Sequence, residues 1–405
     1  MQTTALVLKI TKFFQALYEW DPGEDPEEQD NESILDPELY EPKSKVASLQ
    51  ALFALMQYTK RKYVDPTEFI CKLGLNPSVQ QDAQEFSKLF VSLLETSLEH
   101  QSNQNIRGMI QKLFRGEYAY VTTCLTCKRE SVRPSYFYEL DLALAGNKNL
   151  TIEKCIEDFL RIEKMTGDEK YFCESCQSKQ DATRCCKLRE LPLVLNLQLN
   201  RFQYDMQFGR KKKLNSSIMF PQVLDMAKYS ENSAGVYNLI GVLMHVGPDA
   251  NHGHYIAHIQ ELESGNWYKF SDEHVASLDP KAKARNISMK KMKQEPIQQQ
   301  KLQTSNNAYM LVYMLDKTIQ EIRQRDSIEV VKREKVRRLT ILKRQVAEGR
   351  LNSSEDSGVG APASVVRGMK RKLSTDSNED INKAQICFCL LSLNFAKAYK
   401  ARFNT

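Results

Sequence analysis

Two Cys-x-x-Cys pairs, Cys124 with Cys127 and Cys173 with Cys176, stand in this chain with 45 residues between them. Two turns that each present two sulfurs can close a tetrahedral zinc site. A four-sulfur set leaves no open coordination position, so the ion it holds is structural rather than catalytic. The competing reading is four free buried thiols. The separation exceeds the roughly 12–20 residues of compact zinc modules. It therefore predicts that each knuckle sits at the tip of long strands, with a sub-structure between. Ten cysteines in 405 residues are too few for a disulfide scaffold, and paired Cys-x-x-Cys spacing points to metal in a reducing compartment.

The sequence around the pairs divides into segments. Asp21–Pro42 holds ten acidic residues and no Lys or Arg, which predicts a solvated, disordered acidic insert. Val46, Leu49, Leu52, Phe53 and Met56 recur at helical spacing, as do Phe86, Leu89, Leu93 and Leu94. Pro77 precedes the second helix, and Ser78 is its candidate N-cap. From about Glu117 short strand-like runs take over: EYAYVTTC, SYFYELDLAL, LVLNLQLNRF, YNLIGVLMHV and HYIAHIQEL. A helix is predicted near Lys154–Leu160 and a loop insertion over Pro280–Ser305. The strand NAYMLVYML closes the ordered body at about Leu315.

Residues 316–350 form a charged helical extension, and residues 351–405 are expected to be a disordered tail. Residues 316–405 carry 19 basic against 11 acidic side chains, and the remainder 38 against 40. The formal net charge of +6 thus belongs to the tail. A neutral body lacks the concentrated basic face of a nucleic-acid-binding core. No run approaches the ~18 apolar residues that cross a bilayer. Lys9 and Lys12 interrupt the apolar start, which argues against a secretory signal. Arg367–Lys372 is a candidate nuclear-import patch.

Two further runs carry candidate chemistry. In Gly253-His254-Tyr255-Ile256-Ala257-His258 and Trp267-Tyr268-Lys269-Phe270-Ser271-Asp272-Glu273, a histidine on one strand and an aspartate after a neighbouring strand fit a general base and its orienting carboxylate. The bland reading of His254 is a hydrogen-bonded structural histidine, and His252 and His258 compete for the role. In Gln80-Gln81-Asp82-Ala83-Gln84-Glu85-Phe86, Asp82 and Glu85 share a helix face and could grip a cationic peptide. They could equally be favourable acids at a helix N-terminus.

The order QDAQEF, CxxC…CxxC, LNLQLNRF, GHYIAH, WYKF, AYMLVY resembles that of the ubiquitin-specific proteases, over about Thr11 to Leu315. The resemblance implies an α+β, papain-like fold with a helical thumb, a β palm and zinc-tipped fingers (about 117–200) within a catalytic domain over 1–315. It implies that His254 is the catalytic base, that Cys124, Cys127, Cys173 and Cys176 hold one structural zinc ion, and that Asp82 and Glu85 face the arginines of the ubiquitin tail. Tyr255 and Trp267 would wall the channel for its terminal glycines. At the family's orienting Asp/Asn position this chain has Ser271, and Asp272 next to it is the candidate carboxylate. The family's nucleophile lies in an Asn/Gly-rich box upstream of QDAQEF. No cysteine here has that setting; Cys71, in PTEFICKLGLN, lacks it. ITKFFQALYEWDP resembles the segment just after the nucleophile helix, so the chain is expected to start one helix late.

The expected function is thiol-dependent hydrolysis at the C-terminal glycine of ubiquitin in the intact family member, with this chain inert. The implied partners are ubiquitin and ubiquitinated proteins, with no membrane, in the nucleus or cytoplasm. The rivals are a non-catalytic ubiquitin-binding module and a zinc-dependent scaffold whose basic tail binds nucleic acid.

Overall fold

The computed structural model describes residues 17, 19–28, 41–58, 64, 66–75, 82–144, 150–207, 209–232, 235–249, 253–262, 265–271, 274–278 and 302–323. The expectations for Ser78, His252, Asp272, Arg367–Lys372 and the tail beyond Arg323 fall outside these residues. No helix among the described residues is long and apolar enough to cross a membrane. The described residues form two compact units. One comprises the described parts of Met1–Ile110, Ile259–Ala276 and Gln320–Thr405, and the other those of Gln111–His258 and Ser277–Ile319.

The first unit is largely helical. In Lys45–Tyr58 the residues Val46, Leu49, Leu52 and Phe53 are buried, as their spacing predicts. In Ala83–Glu99 the buried stripe is Phe86, Phe90, Val91, Leu94 and Leu98. Phe86 stacks on Phe90 at 5.6 Å, and Phe69 of the short helix Thr67–Lys72 meets Phe90 edge-on at 6.3 Å. The cap of the long helix is Asp82. Its Oδ1 accepts from the backbone N–H groups of Gln84 (2.8 Å) and Glu85 (3.2 Å).

The expectation of a wholly solvated acidic insert is corrected at its first eight residues. Asp25 and Glu28 are buried. Glu28 accepts from the N–H groups of Lys43 (2.7 Å) and Ser44 (2.6 Å), just ahead of the helix Lys45–Tyr58. Ser44 caps that helix through Ala47 N–H. The positive end of a helix dipole and its unpaired N–H groups attract a carboxylate, which composition alone does not reveal. Burial raises the Asp25 carboxyl above the usual carboxylate range, against opposing bonds from Glu27 N–H and Ser44. Residues 29–40 lie outside the described residues.

The second unit is built from sheets. An antiparallel four-stranded sheet runs Glu130–Phe137, Gly116–Cys124, Ala182–Glu190, Glu163–Met165. Its strand Gly116–Cys124 ends in the first cysteine knuckle, and the second lies on a separate two-stranded pair, Tyr171–Cys173 with Ser178–Gln180. The helix Ile152–Phe159, capped by Thr151, lies in the same unit. A larger sheet places Leu140–Ala143 parallel to Val194–Asn200, followed by the antiparallel strands Ala308–Leu315, Val236–Val246 and the His254 strand. Its central strands are almost continuously buried (Leu195, Leu197, Leu199, Leu239, Val242, Leu311, Tyr313), which is why they read as apolar runs rather than alternations. Tyr313 and Tyr237, both fully buried, donate their hydroxyls to Pro221 O (2.8 Å) and Pro192 O (2.6 Å). The predicted loop insertion is corrected at its end, where Gln303–Ser305 pairs as a strand with Ile218–Phe220.

The strand His254–Gln260 passes into the first unit at Ile259. There it turns through a tight hairpin to Trp267–Ser271. Gly265, at φ +75°, supplies the left-handed residue, and its N–H donates to Glu261 O (2.8 Å).

Candidate active site and metal centre

The four cysteine sulfurs converge, all within 4.8 Å of one another. Cys124 and Cys173 are buried, Cys176 is half-buried and Cys127 is exposed. The two knuckles repeat one backbone device: the residue after the second cysteine of each, Lys128 (φ 59°) and Gln177 (φ 51°), is left-handed. In the first the backbone folds back, as Lys128 N–H donates to Cys124 O and Cys124 N–H to Arg129 O, both at 3.0 Å. One correction concerns the support. The first knuckle does cap long strands, but the second closes a pair only three residues long, Tyr171–Cys173 with Ser178–Gln180. Cys127 Sγ and Cys173 Sγ are 3.6 Å apart. Tetrahedral zinc with Zn–S near 2.3 Å sets sulfurs about 3.8 Å apart, so the group fits such an ion.

Four thiols this close cannot all ionise without a cation among them. Backbone N–H groups of Cys127 and Thr126 lower the Cys124 thiol to about 7, the first being the larger effect. Cys176 is pushed up to about 12, first by its bond with Cys127 and then by burial. The centre could hold a metal ion, and zinc is compatible with its donor set and spacing.

His254 opens the strand His254–Gln260, in which half-buried positions alternate with buried ones. His254, Ile256 and His258 share the half-exposed side; Tyr255, Ala257 and Ile259 face inward. Gly253 allows a close approach: a Cβ there would stand 2.2 Å from Nε2 of His245 and 3.0 Å from Val246 O. Tyr255 is buried and meets the His245 ring at 4.9 Å and the Tyr309 ring at 5.7 Å. Trp267 and Ser271 are half-buried, and Phe270 between them is buried. Asp82 is half-buried and Glu85 exposed. Asp82 caps its helix, as the reading of favourable acids at a helix N-terminus had it. Asp82, Glu85, Trp267 and Ser271 belong to the first unit, and His254 and Tyr255 to the second.

Four described cysteines lie outside the centre: Cys71, Cys155, Cys185 and Cys186. Burial raises Cys155 and Cys186 to about 11. Cys71 is exposed in the last turn of the six-residue helix Thr67–Lys72.

Two residues were missed in the sequence, Arg201 and Lys213. Both are buried cations in runs that read as an ordinary strand end and an exposed basic stretch. The Arg in LNRF directly after an apolar strand was the one available signal.

The family described as "Ubiquitin carboxyl-terminal hydrolase" matches residues 4–313. The chain belongs to this family, and its α+β fold with clustered cysteines is that of the ubiquitin-specific protease domain. It is 50% identical over 292 residues to "Ubiquitin carboxyl-terminal hydrolase 48" of Gallus gallus, covering 70% of this chain and 28% of that protein. Its likeness to the protein of the same name from Danio rerio is 47% over 296 residues, 71% of this chain and 28% of the relative. "Ubiquitin carboxyl-terminal hydrolase 26" of Oryza sativa subsp. japonica is 43% identical over 249 residues, 60% of this chain and 23% of that protein. The chain thus spans about a quarter of the length of the curated relatives it matches.

Proposed function

We propose that this chain carries the base, the ubiquitin-tail site and the zinc-stapled fingers of a cysteine deubiquitinase, while lacking a competent nucleophile among its own residues. The observation that carries the reading is His254. It stands half-exposed at the start of its strand, over a buried aromatic layer, in a chain of the ubiquitin hydrolase family. In the reaction, a cysteine thiolate attacks the carbonyl carbon at the ubiquitin C-terminal glycine. The C–N bond breaks, and His254 delivers the proton to the leaving amine. His254 then takes a proton from the water that hydrolyses the thioester and frees the cysteine. By the family pattern the orienting carboxylate would be Asp272, next to Ser271 in the sequence. The zinc ion takes no part in these steps; when bound to the four thiols it staples the fingers.

Treated with ubiquitin bearing a C-terminal electrophile, the 405-residue chain is expected to form no covalent adduct while still binding ubiquitin reversibly. A chimera with the family's Asn/Gly-rich Cys box and the helix it opens placed in front should form the adduct and turn over substrate. His254→Gln in that chimera should cut kcat about a thousandfold, the size of a lost general acid–base. A rapid adduct on Cys71 of the unextended chain would overturn the inert reading. Reversible binding without any rescue in the chimera would favour the ubiquitin-binding module instead.

The tail site has its own test. Asp82→Asn keeps a good capping residue while removing its charge, and Glu85→Gln removes the second charge isosterically. The double variant is expected to bind ubiquitin about tenfold more weakly, most visibly at low salt, through lost charge-assisted bonds to arginine. Unchanged affinity by calorimetry would reduce the pair to helix-capping.

A further inference from the structure

We propose that Lys213 and His245 form a buried clamp that fixes the position of His254, each acting as a positioning residue; this rests on the reading of His254 as the base. Lys213 is 5% exposed. An ammonium has three donors, and each meets one oxygen: His245 O at 2.7 Å, Gly247 O at 2.9 Å and Asn307 Oδ1 at 3.1 Å. No carboxylate is among them, so among the described residues the charge is held by neutral oxygens. Burial, and then Arg201, push the Lys213 pKa below the usual lysine range. Burying a cation in this way is costly, so the arrangement calls for a structural return.

That return lies in what the three oxygens belong to. Two sit at the end of the strand Val236–Val246, and the third lies just before the strand Ala308–Leu315. The His245 N–H also donates to Asn307 O at 2.9 Å. The main chain of His245 is therefore held on both sides. Its ring, 1% exposed as a residue, lies edge-on to Phe202 (5.1 Å, 87°) and to Tyr255 (4.9 Å, 67°). It also fills the space that a side chain on Gly253 would need. Phe202 and Tyr255 both rest on Tyr309, at 5.2 and 5.7 Å. Gly253 and Tyr255 are the two neighbours of His254. A shift of the His245 ring must displace both of them, because close-packed interiors transmit displacement rather than absorb it. Lys213 is suited to the task because its three donors diverge from one atom. Arginine's planar fork cannot meet three oxygens around a single point.

The test follows His254 itself in the 405-residue chain. With histidine labelled by ¹³C and ¹⁵N, the His254 ring signal is assigned by its loss in His254→Gln. In Lys213→Met the zinc content and cooperative unfolding should persist. The His254 ring signal should move or broaden, and amide exchange over Gly253–Ile256 should quicken about tenfold through local opening. Exchange in Gly116–Cys124 and Ala182–Glu190 should stay unchanged. Asn307→Ala removes one of the three acceptors and should move the same signals less; Lys213→Arg should restore them only in part. An unmoved His254 ring in folded Lys213→Met, or exchange that quickens equally in the fingers, would overturn the clamp. Should Lys213→Met fail to fold, Asn307→Ala decides by the same criterion. An unmoved ring sinks the clamp, whereas turnover surviving His254→Gln in the chimera sinks the base reading and leaves the ring result standing.

Discussion

Replacing Cys173 with serine is expected to empty the four-thiol centre and loosen everything its second knuckle holds. The local chain has little else to order it. Tyr171–Cys173 and Ser178–Gln180 pair over only three residues, and Phe172 is 54% exposed. An isolated hairpin of that length is not stable in water. Cys173 is buried and touches Cys127 Sγ at 3.6 Å, so its loss removes a central ligand, and serine is a poor zinc donor. Sites of this type supply roughly 10–16 kcal/mol to the folding of zinc-finger peptides. In a larger protein part of that remains elsewhere, because Gly116–Cys124 is held on both flanks by eight-residue ladders. The expected result is therefore a fall from about one zinc per chain to near zero, with amide protection lost over Tyr171–Gln180 first. Elemental analysis and hydrogen exchange measure the two effects. Full zinc retention in Cys173→Ser would refute the ligand assignment.

The metal centre was legible because its signal is local: two fixed spacings and one residue type. The central strands were legible for a similar reason, since burial on both faces leaves continuous apolar runs such as LVLNLQLN. The helix Ala83–Glu99 was found by period, yet its cap was sought at Ser78, because a cap is set by one side chain meeting two N–H groups and several polar residues compete for that duty. The acidic segment shows the limit of composition. Glu28 is buried because two N–H groups at a distant helix start await it, and charge counts contain no such information. Lys213 follows the same logic within RKKK. Arg210, Lys211 and Lys212 are exposed while the fourth cation is buried, where its ammonium meets His245 O, Gly247 O and Asn307 Oδ1. The site residues were thus readable as types, through the resemblance, while the groups that hold them in place required tertiary partners.

Arg201 is the residue on which that hidden support depends most, and Arg201→Met should destabilise the chain by about 2–4 kcal/mol. Its guanidinium is fully buried. It donates to Ala308 O, to Leu214 O and Ser216 O at 2.8 Å each, and to Ser305 O at 3.3 Å. Its backbone joins in, with Leu214 N–H donating to Arg201 O at 2.7 Å. One side chain therefore ties the end of Val194–Asn200 to the start of Ala308–Leu315 and to the segment before Ile218–Phe220. Methionine roughly matches the stem's volume but leaves four carbonyl oxygens unmet, at about 1–3 kcal/mol each. Against this stands the relief of no longer burying a cation, worth several kcal/mol. The unmet acceptors win because there are four of them and one charge. Burial lowers the Arg201 pKa to about 10, with Cys155 opposing. A base whose folded pKa is depressed adds stability only as pH rises through that value. Between pH ~5 and ~8 the group is protonated in both folded and unfolded chains, so the loss in Arg201→Met should be flat across that range. Thermal unfolding at several pH values measures it, with exposed Lys212→Met as a control expected within about 0.5 kcal/mol of the parent. A melting point for Arg201→Met equal to that of the control would show that the four carbonyls find other donors, and that the sheet beside His254 does not need this cation.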